Sequence, residues 1–413
     1  MTKVAFVSFR LKALDGVSAE AEKWVSVFEE WGCEVHRVAG YIPNAGEYDH
    51  EISELSFIDP QVESFTAKAF DPAQDRQNVE LEYALLEQEI RRRLLPVLDE
   101  IAPDILVAEN IFSLPLNMPF TVVLCKYLED ANIPCFAVHH DFHWQDPKLR
   151  DCVFGELLSN YFPASLPNMQ HVTINEQSRE ELFRLTGVAA TCIHNCFDFD
   201  EPRQPDEFNS GLRPELGLDN GAAMFLQPTR AIERKGIGKS IKFVEDFASV
   251  SGRPARLVVT GPCEQGYEGQ FDHMCSSSKA GVLHVPNWLG SYRNHPAAAS
   301  PYSVRDAYAV CDMVTFPSSR EGFGNPVLES VVHRKLLLVA DYPVLEELRE
   351  FGFQFLALDD RAVDRAVKML EYPQIMQEMV DRNFEIGKKH FSMDSLREEM
   401  AHLVSSAAIP AMD

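Results

Sequence analysis

The sequence predicts an α/β protein built from two Rossmann-like domains. Three observations predict it. Short apolar runs alternate with helix-period segments along the whole chain, which is the signature of parallel sheets joined by helices. At 413 residues and 46% hydrophobic, the chain can fill two cores. A stretch rich in Pro, Asp, Asn and Gly, residues 204–220, interrupts the alternation and reads as the linker. The domains expected are 1–205 and 206–389, with a last helix near 392–406 inside a tail of about 390–413.

In the first half, residues 4–9 form an apolar strand, and the loop after it contains Leu14, Asp15, Gly16, Val17 and Ser18. A helix follows over about 19–31, with Trp24, Val25, Phe28 and Trp31 at helical spacing, and Gly32 ends it. Residues 34–38 are the next strand. Residues 44–75 are acidic, polar and irregular and read as a surface excursion. A long helix spans about 78–100, and 104–108, 135–138 and 171–174 are later strands. No internal repeat appears beyond the alternation itself.

The second half begins at Ala222 with an apolar run that ends in Arg230. A short turn leads to Lys235-Gly236, which opens a helix around 241–247. Arg230 and Lys235 thus lie at the carboxyl end of a strand, where open α/β sheets bind ligands. A forked guanidinium and a compact ammonium suit a diphosphate, although two solvated charges at a helix start are the blander account. Downstream, the strand 313–317 runs into Glu321-Gly322-Phe323-Gly324-Asn325-Pro326-Val327-Leu328-Glu329. Asn325 reads as the N-cap and Pro326 as the first helical residue. Such a helix start offers free N–H groups and the positive end of the dipole to phosphate. The carboxylates Glu321 and Glu329 repel phosphate, so they suit the hydroxyls of a ligand that also carries phosphate. A nucleotide sugar has both.

Composition bounds the partners. The chain has no stretch of eighteen apolar residues and no signal-peptide pattern. Its nine cysteines are odd in number and scattered, which argues for a reducing cytoplasm. A net charge of −25 without a basic tract disfavours nucleic acid and anionic membrane surfaces as partners. The oligomeric state is open, a homodimer being compatible with the sequence.

The ordered series Arg230…Lys235-Gly236, then Leu257-Val258-Val259-Thr260-Gly261, then the Pro317 to Gly324 segment leading to Glu329 resembles the retaining glycosyltransferases of family 4. These are the glycogen-synthase-like or group 1 enzymes of GT-B fold. The resemblance is strong over 222–350 and weaker before it. It implies two Rossmann-like domains facing across a cleft, with the last helix returning to the first domain. It also implies a hexose moved from a nucleotide-diphosphate sugar to an acceptor hydroxyl, with retention of configuration and no cofactor or metal. Under this resemblance, the net charge of −25 without a basic tract favours a small, soluble acceptor. Arg230 and Lys235 would hold the diphosphate, Glu321 would lie beside the donor sugar, and Glu329 would bind the ribose. Gly322, Phe323, Gly324, Asn325 and Val327 would bring backbone N–H groups to sugar and phosphate. Gly16 matches the family's first-loop glycine. No carboxylate nucleophile is evident in the first domain, so front-face attack aided by the leaving phosphate is expected; Asp141 is the candidate for a covalent route.

Residues 138–144, Val-His-His-Asp-Phe-His-Trp, follow a strand. In the family a histidine there reaches the donor sugar. Either His139 or His140 matches, and His140 is preferred because His139 still belongs to the strand. On the acceptor side stand Asp15, Ser18, His139, Asp141 and Trp144, with Ser18 equally readable as a helix cap. Phe142 and Trp144 have flat faces that suit sugars or core packing. The alternation of His139, Asp141 and His143 leaves a metal-dependent hydrolase as an alternative, and a GT-B phosphorylase or sugar-nucleotide epimerase as another. Cys192 to Cys196 reads as structural. The insert 287–303, with Trp288, Tyr292, Arg293 and His295, is placed to shape a substrate pocket.

Overall fold

The computed structural model describes residues 1–13, 15–200, 202–218 and 221–407. Leu14 of the first loop, Asn220 at the end of the expected linker and the tail from 408 lie outside the described residues. The chain divides into two compact units, Met1–Asn195 with Leu396–Asp413, and Cys196–Ser395. The sequence reading sets the first boundary at 205. Residues 197–200 instead go with the second unit, because Phe197 N–H donates to the Phe391 carbonyl at 2.8 Å, Phe199 packs on Phe384, and Lys388 pairs with Asp200 at 2.7 Å.

The first unit holds seven parallel strands: β1 Lys3–Ser8, β2 Glu34–Ala39, β3 Asp49–Glu51, β4 Ile105–Glu109, β5 Cys135–His139, β6 Met169–Thr173 and β7 Ala190–Cys192. Their order is β3-β2-β1-β4-β5-β6-β7, so the order reverses between β1 and β4. The central strands are buried on both faces, which is why they appear in the sequence as unbroken apolar runs. The helix Gly16–Glu30 starts earlier than its apolar spacing indicates, because Asp15 caps it by accepting from the N–H groups of Val17 and Ser18. The helix Arg76–Ile101 buries Val79, Leu86, Ile90, Leu94 and Leu98 along one stripe.

Two parts of this unit depart from expectation. Residues 44–75 are not an irregular excursion. They contain β3 and a helix, Pro60–Ala69, capped by Asp59, whose Val62, Phe65 and Ala69 join the core. A second helix, Met118–Ala131, was unassigned. It is buried nearly all round, so no polar face marks its period.

The second unit has β8 Ala223–Gln227, β9 Ala255–Val259, β10 Val282–His284, β11 Met313–Phe316, β12 Leu336–Val339 and β13 Leu356–Ala357, again parallel, in the order β10-β9-β8-β11-β12-β13. The helix Ile237–Ser251 covers one face with Ile237, Ile241, Val244 and Phe247. The final helix, Met393–Ser406, groups with the first unit from Leu396 onward. It buries Leu396, Met400 and Leu403, and Arg397 pairs with Glu30 at 2.7 Å. All nine cysteines are free thiols. Among the described residues no helix is long and apolar enough to cross a membrane.

Candidate active site

In the second unit, β8 and β11 are adjacent, with Phe225 opposite Met313 and Leu226 opposite Val314. The turns that follow them therefore meet. Gly236 sits at φ +65°, and a Cβ there would strike the Pro317 carbonyl oxygen, so only glycine lets the turns close on each other. This contact brings Lys235 to Glu321, with Nζ 2.5 Å from Oε1. Arg234 reaches the other carboxylate oxygen at 3.1 Å and the Arg320 carbonyl at 2.8 Å.

Lys235 is only 8% exposed and lies over the Phe316 ring. Burial lowers the proton affinity of its ammonium, and Glu321 opposes that change. Gln227 at the end of β8 fixes the turn by donating to the Lys235 carbonyl at 2.9 Å. Arg230 is exposed at the same edge, near enough for its charge to act on Lys235. The expected diphosphate cations and the sugar-side acid are thus brought together.

The helix start differs from expectation in one respect. Its cap is Gly324, at φ +100°, and Asn325 is the first residue of the helix Asn325–Val332. A Cβ on Gly324 would meet the Tyr342 hydroxyl. Phe323 and Val327 turn their side chains into the core. The Val327 N–H, expected to serve a ligand, is already given to the Gly324 carbonyl at 2.8 Å. Glu329 accepts from the buried Tyr308 hydroxyl at 2.5 Å.

In the first unit, Glu109 ends β4, His139 ends β5 and His140 follows it. Glu109 is 1% exposed, and its Oε2 lies 2.9 Å from His140 Nε2. The His140 N–H donates to Asn110 Oδ1 at 2.8 Å. Burial pushes the Glu109 carboxyl above the ordinary carboxylate range, while His140 pulls it back. Burial would lower the imidazole, but the hydrogen bond and charge of Glu109 outweigh it and raise His140.

His139 points the other way. It is fully buried, its Nε2 is 2.9 Å from His171 Nδ1, and the two rings stack. Burial takes its proton affinity well below the usual imidazole value, and at 0% exposure the ring presents no atom to an acceptor. Phe142 is buried too and stacks on Trp144 with centroids 4.4 Å apart, so these rings spend one face each on one another. Asp141 is exposed. Among the described residues, His139, Asp141 and His143 do not converge as a metal-ligating group, which removes the ground for a hydrolase built on them.

Gly16 opens the first helix. Ser18 is buried and its hydroxyl donates to Asp15 Oδ2 at 3.0 Å, so capping accounts for it. Asp15 also pairs with Arg10 at 2.9 Å. Sequence reasoning missed Glu109 and Arg10. The available signal was an acid ending an apolar strand and a cation just beyond the first strand.

Two parallel-sheet α/β units of these strand orders make up the GT-B fold. HepE of Anabaena, solved in complex with UDP and glucose, shares the architecture with a TM-score of 0.65 over 98% of this chain and 100% of that one, at 15% identity. No protein-family model matches the chain. A mannosylglucosylglycerate synthase of Thermotoga maritima is 30% identical over 97% of this chain and 99% of its own length. One from Petrotoga mobilis is 26% identical over 87% of each. The chain belongs to the group 1, family 4 glycosyltransferases, the enzymes that take a sugar from a nucleotide-sugar donor.

Proposed function

We infer that the enzyme transfers mannose from a nucleotide-diphosphate mannose to a hydroxyl of glucosylglycerate, with retention of configuration and without metal. The sugar and acceptor are suggested by the names of the two relatives. The observation that carries the donor site is the buried Lys235 locked to Glu321 beside a helix start. A desolvated ammonium in a fixed position stabilises charge on a departing diphosphate without reorganisation, which is the role a metal would otherwise fill. Arg230 adds a second cation from the same turn. Glu321 orients the sugar through its hydroxyls, and Glu329 meets the ribose. The anomeric carbon–phosphate oxygen bond breaks as the acceptor oxygen attacks from the same face. The acceptor proton passes to the leaving phosphate oxygen.

Glycerate brings a carboxylate, and the loop after β1 offers it a partner. Arg10 gives its Nε to Asp15 and lies over Phe57, while its two terminal nitrogens meet no protein acceptor among the described residues. A guanidinium held along one edge presents the other as a fork.

The test is incubation with a panel of nucleotide sugars and glucosylglycerate, in buffer with and without a chelator. The expected result is nucleoside diphosphate release and an α-linked product by NMR, unchanged by chelation. Arg10→Ala should raise the acceptor KM while leaving the donor KM unchanged. An inverted product, or turnover that stops with chelation, overturns the mechanism; transfer of another sugar overturns the donor assignment.

A further inference from the structure

Glu109 has no part in the reaction as described, yet it is a buried acid at the point where the first sheet reverses its strand order. Ser8 of β1 lies opposite it in the ladder, and His140 closes over it from β5. Burying a carboxylate is costly unless it is paired and hydrogen-bonded. The pairing here is asymmetric. His140 Nε2 is committed to Glu109, while among the described residues Nδ1 meets no protein partner and is not one of the buried unpartnered atoms, which places Nδ1 in the 6% of His140 that reaches solvent. The neighbouring His139 is the opposite case, its Nδ1 buried and unpartnered.

We propose that Glu109 is a positioning residue, which fixes His140 with Nε2–H on the carboxylate so that Nδ1–H is presented as a hydrogen-bond donor to an oxygen of the bound sugar. This Nε2–Oε2 hydrogen bond selects one orientation of the ring and, with the carboxylate charged, favours the doubly protonated form. The groups that face His140 agree in sign. Glu109 comes from β4, Glu20 from the helix Gly16–Glu30, and Asp141 from the turn after β5, and all three raise its proton affinity. Lys23 is the nearby counter-charge, held by Glu20 at 2.5 Å. Asn110 Oδ1 pins the His140 backbone, so the ring is fixed at both ends.

The activity arm of the test rests on the glycosyltransferase reading; the spectroscopic arm does not. In the full-length protein labelled with 15N-histidine, the ring signals of His140 are assigned by their loss in His140→Gln. Protons on both ring nitrogens at pH 7 support the proposal, whereas a neutral ring with a bare Nε2 overturns it. In Glu109→Gln, kcat should fall about 10- to 100-fold, the value of one charged hydrogen bond. The alkaline limb of the pH profile should move to lower pH, because the anion that retains the proton is gone. Glu109→Asp should restore part of both. A Glu109→Gln protein with wild-type melting temperature, kcat within twofold and an unmoved alkaline limb would reduce Glu109 to a structural role. If Glu109→Gln fails to fold, the wild-type spectrum still decides.

Discussion

The carboxyl edges of the two sheets bury opposite charges. In the second unit a lysine is taken out of water and held by a glutamate. In the first, a glutamate is taken out of water and held by a histidine. The difference matches the ligand portion each edge would meet. A buried ammonium is an electrostatic device, and its worth rises when an anion arrives, as a diphosphate would. A carboxylate–imidazole pair is directional, because the ring is fixed by its one bond to the acid, and that would suit the hydroxyls and ring oxygen of a sugar. On the proposed function, the same strand geometry would serve a charged and an uncharged portion by exchanging which partner is buried.

The comparison breaks most sharply at Lys235. Lys235→Ala removes the buried cation and leaves Glu321 with Arg234 as its remaining partner. Transfer should fall by about 10³-fold, the scale of a lost preorganised electrostatic donor. A melting temperature near wild type, with that loss in nucleoside diphosphate release, would confirm a catalytic rather than a folding role. Turnover within about tenfold of wild type would sink the idea that this edge serves a diphosphate.

A smaller effect is expected at Gly324. Its φ of +100° and the adjacent Tyr342 hydroxyl exclude a side chain. Gly324→Ala should destabilise the protein by about 1–3 kcal/mol in denaturant melts, the usual range for such strain. Donor KM should rise with it, since the loop between Glu321 and the helix must shift. A change in stability without a change in KM would separate the loop from the donor.

The smallest effect sharpens the meaning of a partnered acid. Glu399, in the final helix, is a part-buried carboxylate with no hydrogen bond or ion pair among the described residues. Burial raises its pKa to about 7, against an opposing pull from His194. Its folded pKa lies above the unfolded value, so the protonated form favours folding. That contribution is complete below the unfolded pKa of 4.5 and is lost as pH rises through about 7. Glu399→Gln should therefore be more stable than wild type at pH 8, by on the order of 2 kcal/mol, and equal to it near pH 4. Thermal melts across that range would read the difference; parallel curves would show that burial does not govern this carboxyl.

How much could be read in advance follows from how the side chains are distributed. The second-unit site was legible because its parts lie in two short segments, 230–236 and 321–329, each marked by glycine and placed after an apolar strand. In the first unit His140 was legible from its place after a strand, but its pairing with Glu109 was not, because the two are brought together by β4 and β5 lying side by side. The preference for His140 over His139 rested on strand length and coincides with the ring that reaches solvent. The capping residue was misassigned for a local reason: Asn325 has the better side chain for the task, but the sharp entry at φ +100° can be made by Gly324. The helix Met118–Ala131 escaped because residues 118–125 are buried on every side, which erases the period over its first two turns.

The final helix has a consequence for how the protein is made. The first unit is not continuous in the gene: Leu396, Met400 and Leu403 complete its packing, and Arg397 caps it with an ion pair to Glu30. A ribosome therefore releases all of the first unit but its closing segment long before that segment exists. The part translated earliest is finished last, and a message truncated anywhere before Leu396 yields an intact second fold at most, never an intact first one.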